Sequence, residues 1–264
     1  MAQDTSSSRS GTAAVKIELA DVRKTFTTEG HGTLDVLKGV TAEILDKEFV
    51  ALIGPSGCGK STLLNIVAGL LAPTSGRVLL DGQEVRGPGA ERGMVFQQDA
   101  ILMWRKVLGN VEYGLELRGV PKEERRRIAM EYIRLVGLEQ FRDFFPKELS
   151  GGMRKRCQIA AVFANNPEVL LMDEPFGSLD YPTKVTLQEE VLKIWAREQK
   201  TTLFVTHDVE EALFLADRVF VVQQGRIATI VPVPFARPRQ AGIRALPEFR
   251  DLLVELWAYL SERA

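Results

Sequence analysis

The sequence predicts an α/β fold, a largely parallel sheet whose strand–helix alternation is broken by a helical insert. Three observations predict it. Phe49–Ile53 and Val169–Met172 are continuous apolar runs, as in strands buried on both faces of a parallel sheet, and Thr202–Val205 follows the same logic. Phe49–Ile53 leads into a glycine-rich loop and then into helical spacing over Ser61–Leu70. From Leu102 to about Phe145 the pattern is helical and charge-rich, and strands and helices alternate again from Val169.

The elements follow in chain order. Residues 1–14 are Ser-, Thr-, Gly- and Ala-rich with no apolar stretch, so they are expected to be a disordered tail and not a signal peptide. Val15, Ile17 and Leu19 alternate with polar residues, a half-exposed strand. Leu34–Leu45 is a second strand region with turns. Pro73–Gly76 is a turn, and Arg77–Leu80 with Asp81-Gly82 reads as a strand entering a hairpin. In the insert, the charge run Lys122–Arg127 adjoins Ile128, Met130, Ile133 and Leu135. It reads as a solvated helix face and not as a nucleic-acid patch. Arg154–Ala164 is a helical run stopped by Asn165-Asn166-Pro167. Val231–Arg239 is Pro-rich and irregular, and Phe249–Leu260 has the spacing of a terminal helix. The expected organisation is a tail at 1–14, a main domain at 15–240 with the helical subdomain inserted at about 98–162, and a C-terminal helical extension at 241–264.

Composition narrows the classes. The chain of 264 residues is 45% hydrophobic and 26% charged, which fits one large domain or a core with a subdomain. A net charge of −1 gives no global field for nucleic acid or anionic lipid. Two cysteines, Cys58 and Cys157, imply no disulfide framework and suit a reducing cytosol. No run approaches the roughly 18 apolar residues of a membrane span.

The chemistry is concentrated in a few segments. Gly54-Pro55-Ser56-Gly57-Cys58-Gly59-Lys60-Ser61, followed by Thr62, has the form GxxxxGK[ST]. Its glycines let successive backbone N–H groups turn inward around phosphate oxygens. Lys60 adds a point charge for β- and γ-phosphates, and Ser61 a hydroxyl for Mg²⁺. Val169–Met172 ends in Asp173 and Glu174, and ligands of parallel sheets lie at the carboxyl ends of strands. Asp173 suits Mg²⁺ through water, and Glu174 is free to polarise a water in line with the γ-phosphate. His207 ends the next such strand and is expected to contact the γ-phosphate. His31, in a polar Gly-rich loop, has no such setting. Ser150 with Gly151 and Gly152 makes a capped helix start open to an anion. Cys58 reads as filler beside phosphate, and its place near a helix N-terminus is expected to lower its pKa.

With these motifs in order, the chain resembles the ATP-binding subunit of ABC transporters over nearly its whole length. The phosphate loop is Gly54–Thr62, the glutamine loop Phe96-Gln97, the signature Leu149–Met153. The magnesium strand Val169–Glu174, the loop Ser178-Leu179-Asp180 and the switch histidine His207 follow. The resemblance implies a P-loop NTPase (RecA-like) core with an N-terminal antiparallel β subdomain and an inserted α-helical subdomain. It implies ATP and Mg²⁺ as ligands, with Phe26 stacking on adenine and Gln97 sensing Mg²⁺ and the attacking water. Glu174, His207, Gln97 and Lys60 would carry the chemistry; Ser61, Gln97 and Asp173 would face the metal. Two such domains would close head to tail, with Ser150, Gly151 and Gly152 on the partner's ATP and Asp180 facing its phosphate loop.

Finer features are similar to the nitrate/sulfonate/taurine importer group: Trp104, Asn110-Val111, Met153-Arg154 and the tail Pro234–Arg239. Met103 departs from it, where that group often has Pro. The implied function is the motor of an import system for a small anionic solute. Its partners would be transmembrane permease subunits, a second ATPase subunit and a periplasmic or extracellular solute-binding protein, with no nucleic acid. Its place would be peripheral, on the cytoplasmic face of the bacterial inner membrane. A lipid-handling or export complex and a soluble ABC-type ATPase are the alternatives. Met103 and Trp104 read either as core of the insert or as a groove for a permease coupling helix, and Phe26 either as the adenine platform or as a core aromatic.

Overall fold

The computed structural model describes residues 14–28 and 32–261. His31 and the tail up to residue 13 lie outside the described residues. Two sheets form the framework. In the first, β1 (Val15–Thr28) pairs antiparallel with β2 (Gly32–Leu45) and with β4 (Ser75–Leu80), and β4 pairs with β5 (Gln83–Glu84). The second has six strands in the order β10-β9-β3-β8-β7-β6. Within it β3 (Phe49–Ile53), β6 (Arg92–Val95), β7 (Val169–Asp173), β8 (Thr201–Val205) and β9 (Arg218–Gln223) run parallel. Only its edge strand β10 (Arg226–Pro232) is antiparallel.

The α/β class is thus the observed one, with an antiparallel sheet placed before and beside a parallel core. The turns expected within 34–45 are absent, and β2 is a single strand. Val22 pairs with Val40 and Arg23 with Lys38, so Gly39 is the extra residue of a bulge at φ +92°. A bulge bends a strand without ending it, and glycine reaches that φ without Cβ strain.

Strand period 2 divides the core. Phe49, Ala51 and Ile53 of β3 face the cluster that also holds the insert and the later helices. Val50 and Leu52 face the cluster shared with the antiparallel sheet and α1 (Lys60–Val67). All five residues of β3 and of β8 are buried, which explains their unbroken apolar and β-branched runs.

The insert between β6 and β7 contains α2 (Val107–Leu117), α3 (Lys122–Leu135) and α4 (Gly151–Ala164), with α4 packed on both α2 and α3. The first turns of α3 carry the charge run outward while Ala129, Tyr132 and Ile133 turn inward. Next come α5 (Tyr181–Glu198) and α6 (Val209–Leu215). After β10 the chain ends in α7 (Pro247–Ser261), docked through buried Phe249 and Leu256. No helix among the described residues is long and apolar enough to cross a membrane.

Candidate active site

The phosphate loop joins β3 to α1. Gly54 has φ +157°, and a Cβ there would lie 2.1 Å from the Val222 carbonyl oxygen. Gly59, at φ +104°, is the residue before α1, and a Cβ would meet Leu37 at 2.7 Å. Neither position tolerates a side chain, which leaves the backbone N–H groups as the loop's functional surface. The helix-start N–H groups of α1 have no partner one turn back, so they are available to an anion. Lys60 is buried, and its ammonium donates to the carbonyls of Gly54 (2.7 Å) and Pro55 (3.0 Å), centring the charge on the loop.

Cys58 corrects the expected lowering of its pKa. Its side chain is buried in the core beside α1, and desolvation pushes the thiol up, outweighing the pull of Lys60. The residue contributes backbone to the loop and apolar volume to the core.

The strand ends gather the acid–base groups. Ser61 Oγ donates to Asp173 Oδ1 at 2.9 Å. Burial raises the Asp173 carboxyl above its ordinary range, with Ser61 pulling the other way and Glu174 adding to the rise. Two adjacent hard oxygen donors suit Mg²⁺, which takes few protein ligands and completes its shell with phosphate and water. Among the described residues no cluster of three His, Cys, Asp or Glu side chains forms a metal cage. Such a cage is not what Mg²⁺ on a nucleotide requires.

Glu174 follows the end of β7 and occupies the left-handed region at φ +41°, a strained conformation for a non-glycine residue. Its N–H donates to the Val205 carbonyl at 2.9 Å, which holds the turn against β8. That turn brings Glu174 Oε2 within 3.2 Å of Gln97 Nε2, which donates to it, and 3.1 Å from His207 Nδ1. The side chain of His207 is 61% exposed, so the cluster opens to solvent. Gln97 comes off β6, Glu174 off β7 and His207 off β8, three neighbouring parallel strands with their carboxyl ends on one edge.

The signature residues form a different surface. Ser150 caps α4, its Oγ accepting from Met153 N–H at 3.3 Å. Asp180 caps α5, accepting from Thr183 N–H at 3.2 Å, and that bond holds its carboxyl below the usual range. The two helix starts touch, since a Cβ on Gly152 would lie 2.9 Å from Thr183 Cγ2. The polar side chains of this pair thus make local cap bonds. Phe26 is exposed on β1 with the Lys24 ammonium 5.1 Å from its ring centre, so the core alternative for it fails. The same holds for Trp104 and Met103, which are 75% and 50% exposed.

Sequence reasoning passed over Lys155. It is 1% exposed, and its ammonium donates to the backbone carbonyls of Phe96 (2.9 Å) and Gln97 (3.0 Å) and to Gln158 Oε1 (2.9 Å). Burial lowers its pKa. Beside it Arg154 Nε donates to Asp99 at 2.6 Å. One turn of α4 thereby fastens the whole glutamine loop. No period or motif in the sequence separates this lysine from the charged residues around it.

A family model described as "ABC transporter" matches residues 37–177. The chain belongs to the ABC transporter family. An uncharacterized ABC transporter ATP-binding protein of Methanocaldococcus jannaschii is 50% identical over 92% of this chain and 91% of its own length. The taurine import ATP-binding protein TauB of Rhizobium johnstonii is 46% identical over 86% of this chain and 90% of its own. The nitrate import ATP-binding protein NrtD of Synechocystis is 49% identical over 78% and 77%. Among solved structures, the dimeric post-hydrolysis state of an ATP-binding cassette bound to ADP and phosphate aligns with a TM-score of 0.74 and 33% identity. It covers 83% of this chain and 100% of that one. The chain is an ABC-type ATPase, and its relatives include subunits of import systems.

Proposed function

We propose that this protein is the ATP-hydrolysing motor of an importer for a small anionic solute of the nitrate/sulfonate/taurine type. The meeting of Gln97, Glu174 and His207 at one sheet edge, beside Ser61 and Asp173, carries the hydrolytic reading. The named activities of the taurine and nitrate relatives support the import reading.

In the proposed reaction, the N–H groups of Gly54–Thr62 and the Lys60 ammonium hold the β- and γ-phosphates of ATP. Ser61 and Asp173, with the amide of Gln97 facing them, would hold Mg²⁺, which would supply positive charge to offset that of the phosphates. Glu174 takes a proton from water as the water oxygen bonds to the γ-phosphorus. The bond from phosphorus to the bridging oxygen breaks, and its electron pair stays on ADP. His207 orients the γ-phosphate from the other side of Glu174, and Phe26 stacks on the adenine. Ser150, Gly151, Gly152 and Asp180 complete the site of a second copy in a head-to-tail dimer. The dimeric relative bound to ADP and phosphate supports that arrangement.

The motor works at the cytoplasmic face of the membrane beneath separate permease subunits, with a solute-binding protein outside. The exposed Met103 and Trp104 are the proposed seat of the permease contact. The test of the hydrolytic assignment is Glu174→Gln. Turnover is expected to fall at least about a hundredfold, the contribution of a positioned base, with ATP affinity retained. Unchanged turnover would overturn it. Capture of the same variant from detergent-solubilised membranes, with mass spectrometry, tests the transport assignment: a multi-span permease is expected, and a ribosomal partner would refute it.

A further inference from the structure

The segment after β10 grips the helix that follows His207 at both of its ends. At the C-terminal end of α6 the buried Arg239 donates to the carbonyls of Leu213 (3.3 Å), Phe214 (3.3 Å) and Ala216 (2.6 Å). Arg237 adds a bond to Leu215 O at 2.6 Å and pairs with Asp217 at 2.8 Å. Carbonyls at a helix end lack helical partners, and cations there oppose the negative end of the macrodipole. Desolvation brings the Arg239 guanidinium down to about 10, so its burial is a cost that these three carbonyls offset.

At the other end Arg244 comes from a short turn at Ala241–Ala245. Its guanidinium lies 3.8 Å from the Phe214 ring centre and 2.7 Å from Glu210 Oε1, and it donates to Gln188 Oε1 at 2.7 Å. Gln188 on α5 then donates to Glu211 Oε1 at 3.2 Å. The second oxygen of Glu211 accepts from the Thr206 hydroxyl at 2.5 Å, and Lys184 lies 2.9 Å from the first. Thr206 Oγ1 in turn accepts from Asp208 N–H at 3.0 Å. His207 therefore sits between two residues that are both fixed in this array, and the array ends on Arg244.

We propose that Arg244 is a positioning residue for ATP hydrolysis. Through Gln188 and Glu211 it sets the turn Thr206–Asp208, and with it the approach of His207 to Glu174. The C-terminal segment then acts as a clamp on the hydrolytic site, with Arg237 and Arg239 as its fixed end. The inference rests on the reading of Glu174 and His207 as hydrolytic groups. A purely packing role for Arg244 would lower stability and leave the turnover of the folded protein unchanged. Misplacement of a reacting group lowers kcat with little change in ground-state binding.

The experiment uses the full chain. Arg244→Met keeps an unbranched apolar side chain at the position and removes the guanidinium; Gln188→Leu cuts the same path one step on. For each variant, kcat and KM for ATP, ATP affinity by calorimetry and the thermal midpoint are measured. The expected result is a fall in kcat of about tenfold, with KM and affinity within about twofold and the midpoint within about 2 °C. The double variant is expected to lose no more than either single one, because both break one path. A kcat within twofold of the parent, or losses that multiply in the double variant, would overturn the inference. Should Arg244→Met fail to fold, Gln188→Leu and Arg244→Lys decide on the same readings. Glu174→Gln in the same assay separates the two levels. Its loss of turnover beside an active Arg244→Met refutes only the clamp, whereas its retained turnover refutes the hydrolytic reading itself.

Discussion

Ser150 has two roles in this reading, and one substitution separates them. Within the chain it caps α4 through the 3.3 Å bond from Met153 N–H. Across the proposed dimer it meets the γ-phosphate bound by the second copy. Ser150→Ala removes the cap, at about 1 kcal/mol of stability. Aspartate caps as well as serine, and its charge at a helix N-terminus adds about 0.3–1 kcal/mol. Ser150→Asp should therefore unfold at the same urea concentration as the parent or at a higher one. A γ-phosphate would meet that carboxylate very differently. Two unit charges about 4 Å apart at an effective dielectric of about 20 repel by about 4 kcal/mol. That is about a thousandfold in turnover and in ATP-driven association. Ser150→Ala loses only one bond to a charged group, about 1.5–3 kcal/mol or roughly ten- to a hundredfold. The assays are urea unfolding, steady-state ATP hydrolysis and sedimentation with ATP in the Glu174→Gln background. A stable Ser150→Asp protein that keeps a tenth of parental turnover refutes the trans contact. So does loss of turnover that follows stability alone in both variants.

Further outcomes follow from two buried groups. Lys155→Met leaves the Phe96 and Gln97 carbonyls without their partner, at about 1–3 kcal/mol for an unpaired acceptor, less what removal of a buried charge returns. Urea unfolding is expected to show a net loss, and an unchanged midpoint would mean that water replaces the ammonium. Cys58 should label with iodoacetamide at neutral pH more slowly in the folded protein than in urea, because the thiolate is the reactive form and burial disfavours it. The folded thiol titrates above the ordinary 9.0, so the unfolded chain loses this proton first and stability falls as pH rises past 9.0. Rapid labelling of the native protein at pH 7 would contradict the burial.

The parts of the fold and the site that the sequence made legible are those encoded locally. Phe49–Ile53 and Val169–Met172 read as doubly buried strands because a parallel sheet permits no alternation, and both are strands of that sheet. Asp173, Glu174 and His207 stood out because polar residues end such runs at the edge where ligands of open α/β sheets lie. Gln97 lacked any such signal. It follows a four-residue strand of mixed burial, and only the family resemblance drew attention to it. Cys58 shows where a local rule failed. The start of α1 favours a thiolate, but the Cys58 sulfur is buried against the loop, with Lys60 Nζ 3.8 Å away, and desolvation outweighs that proximity.

Lys155, Arg239 and Arg244 were illegible for a common reason. A cation in a polar stretch normally reads as surface, and its burial is decided by acceptors elsewhere in the chain. For Lys155 these are two carbonyls of the glutamine loop, 59 and 58 positions away. For Arg239 they are the end of α6, and for Arg244 a glutamine on α5. Each acceptor belongs to a segment next to the reacting groups. In the proposed mechanism the phosphate loop and the strand ends supply the chemistry, and these cations would hold Gln97 and His207 where that chemistry needs them. A substitution that preserves every recognisable motif can still disconnect the site, so turnover should be more sensitive to these three positions than nucleotide binding is.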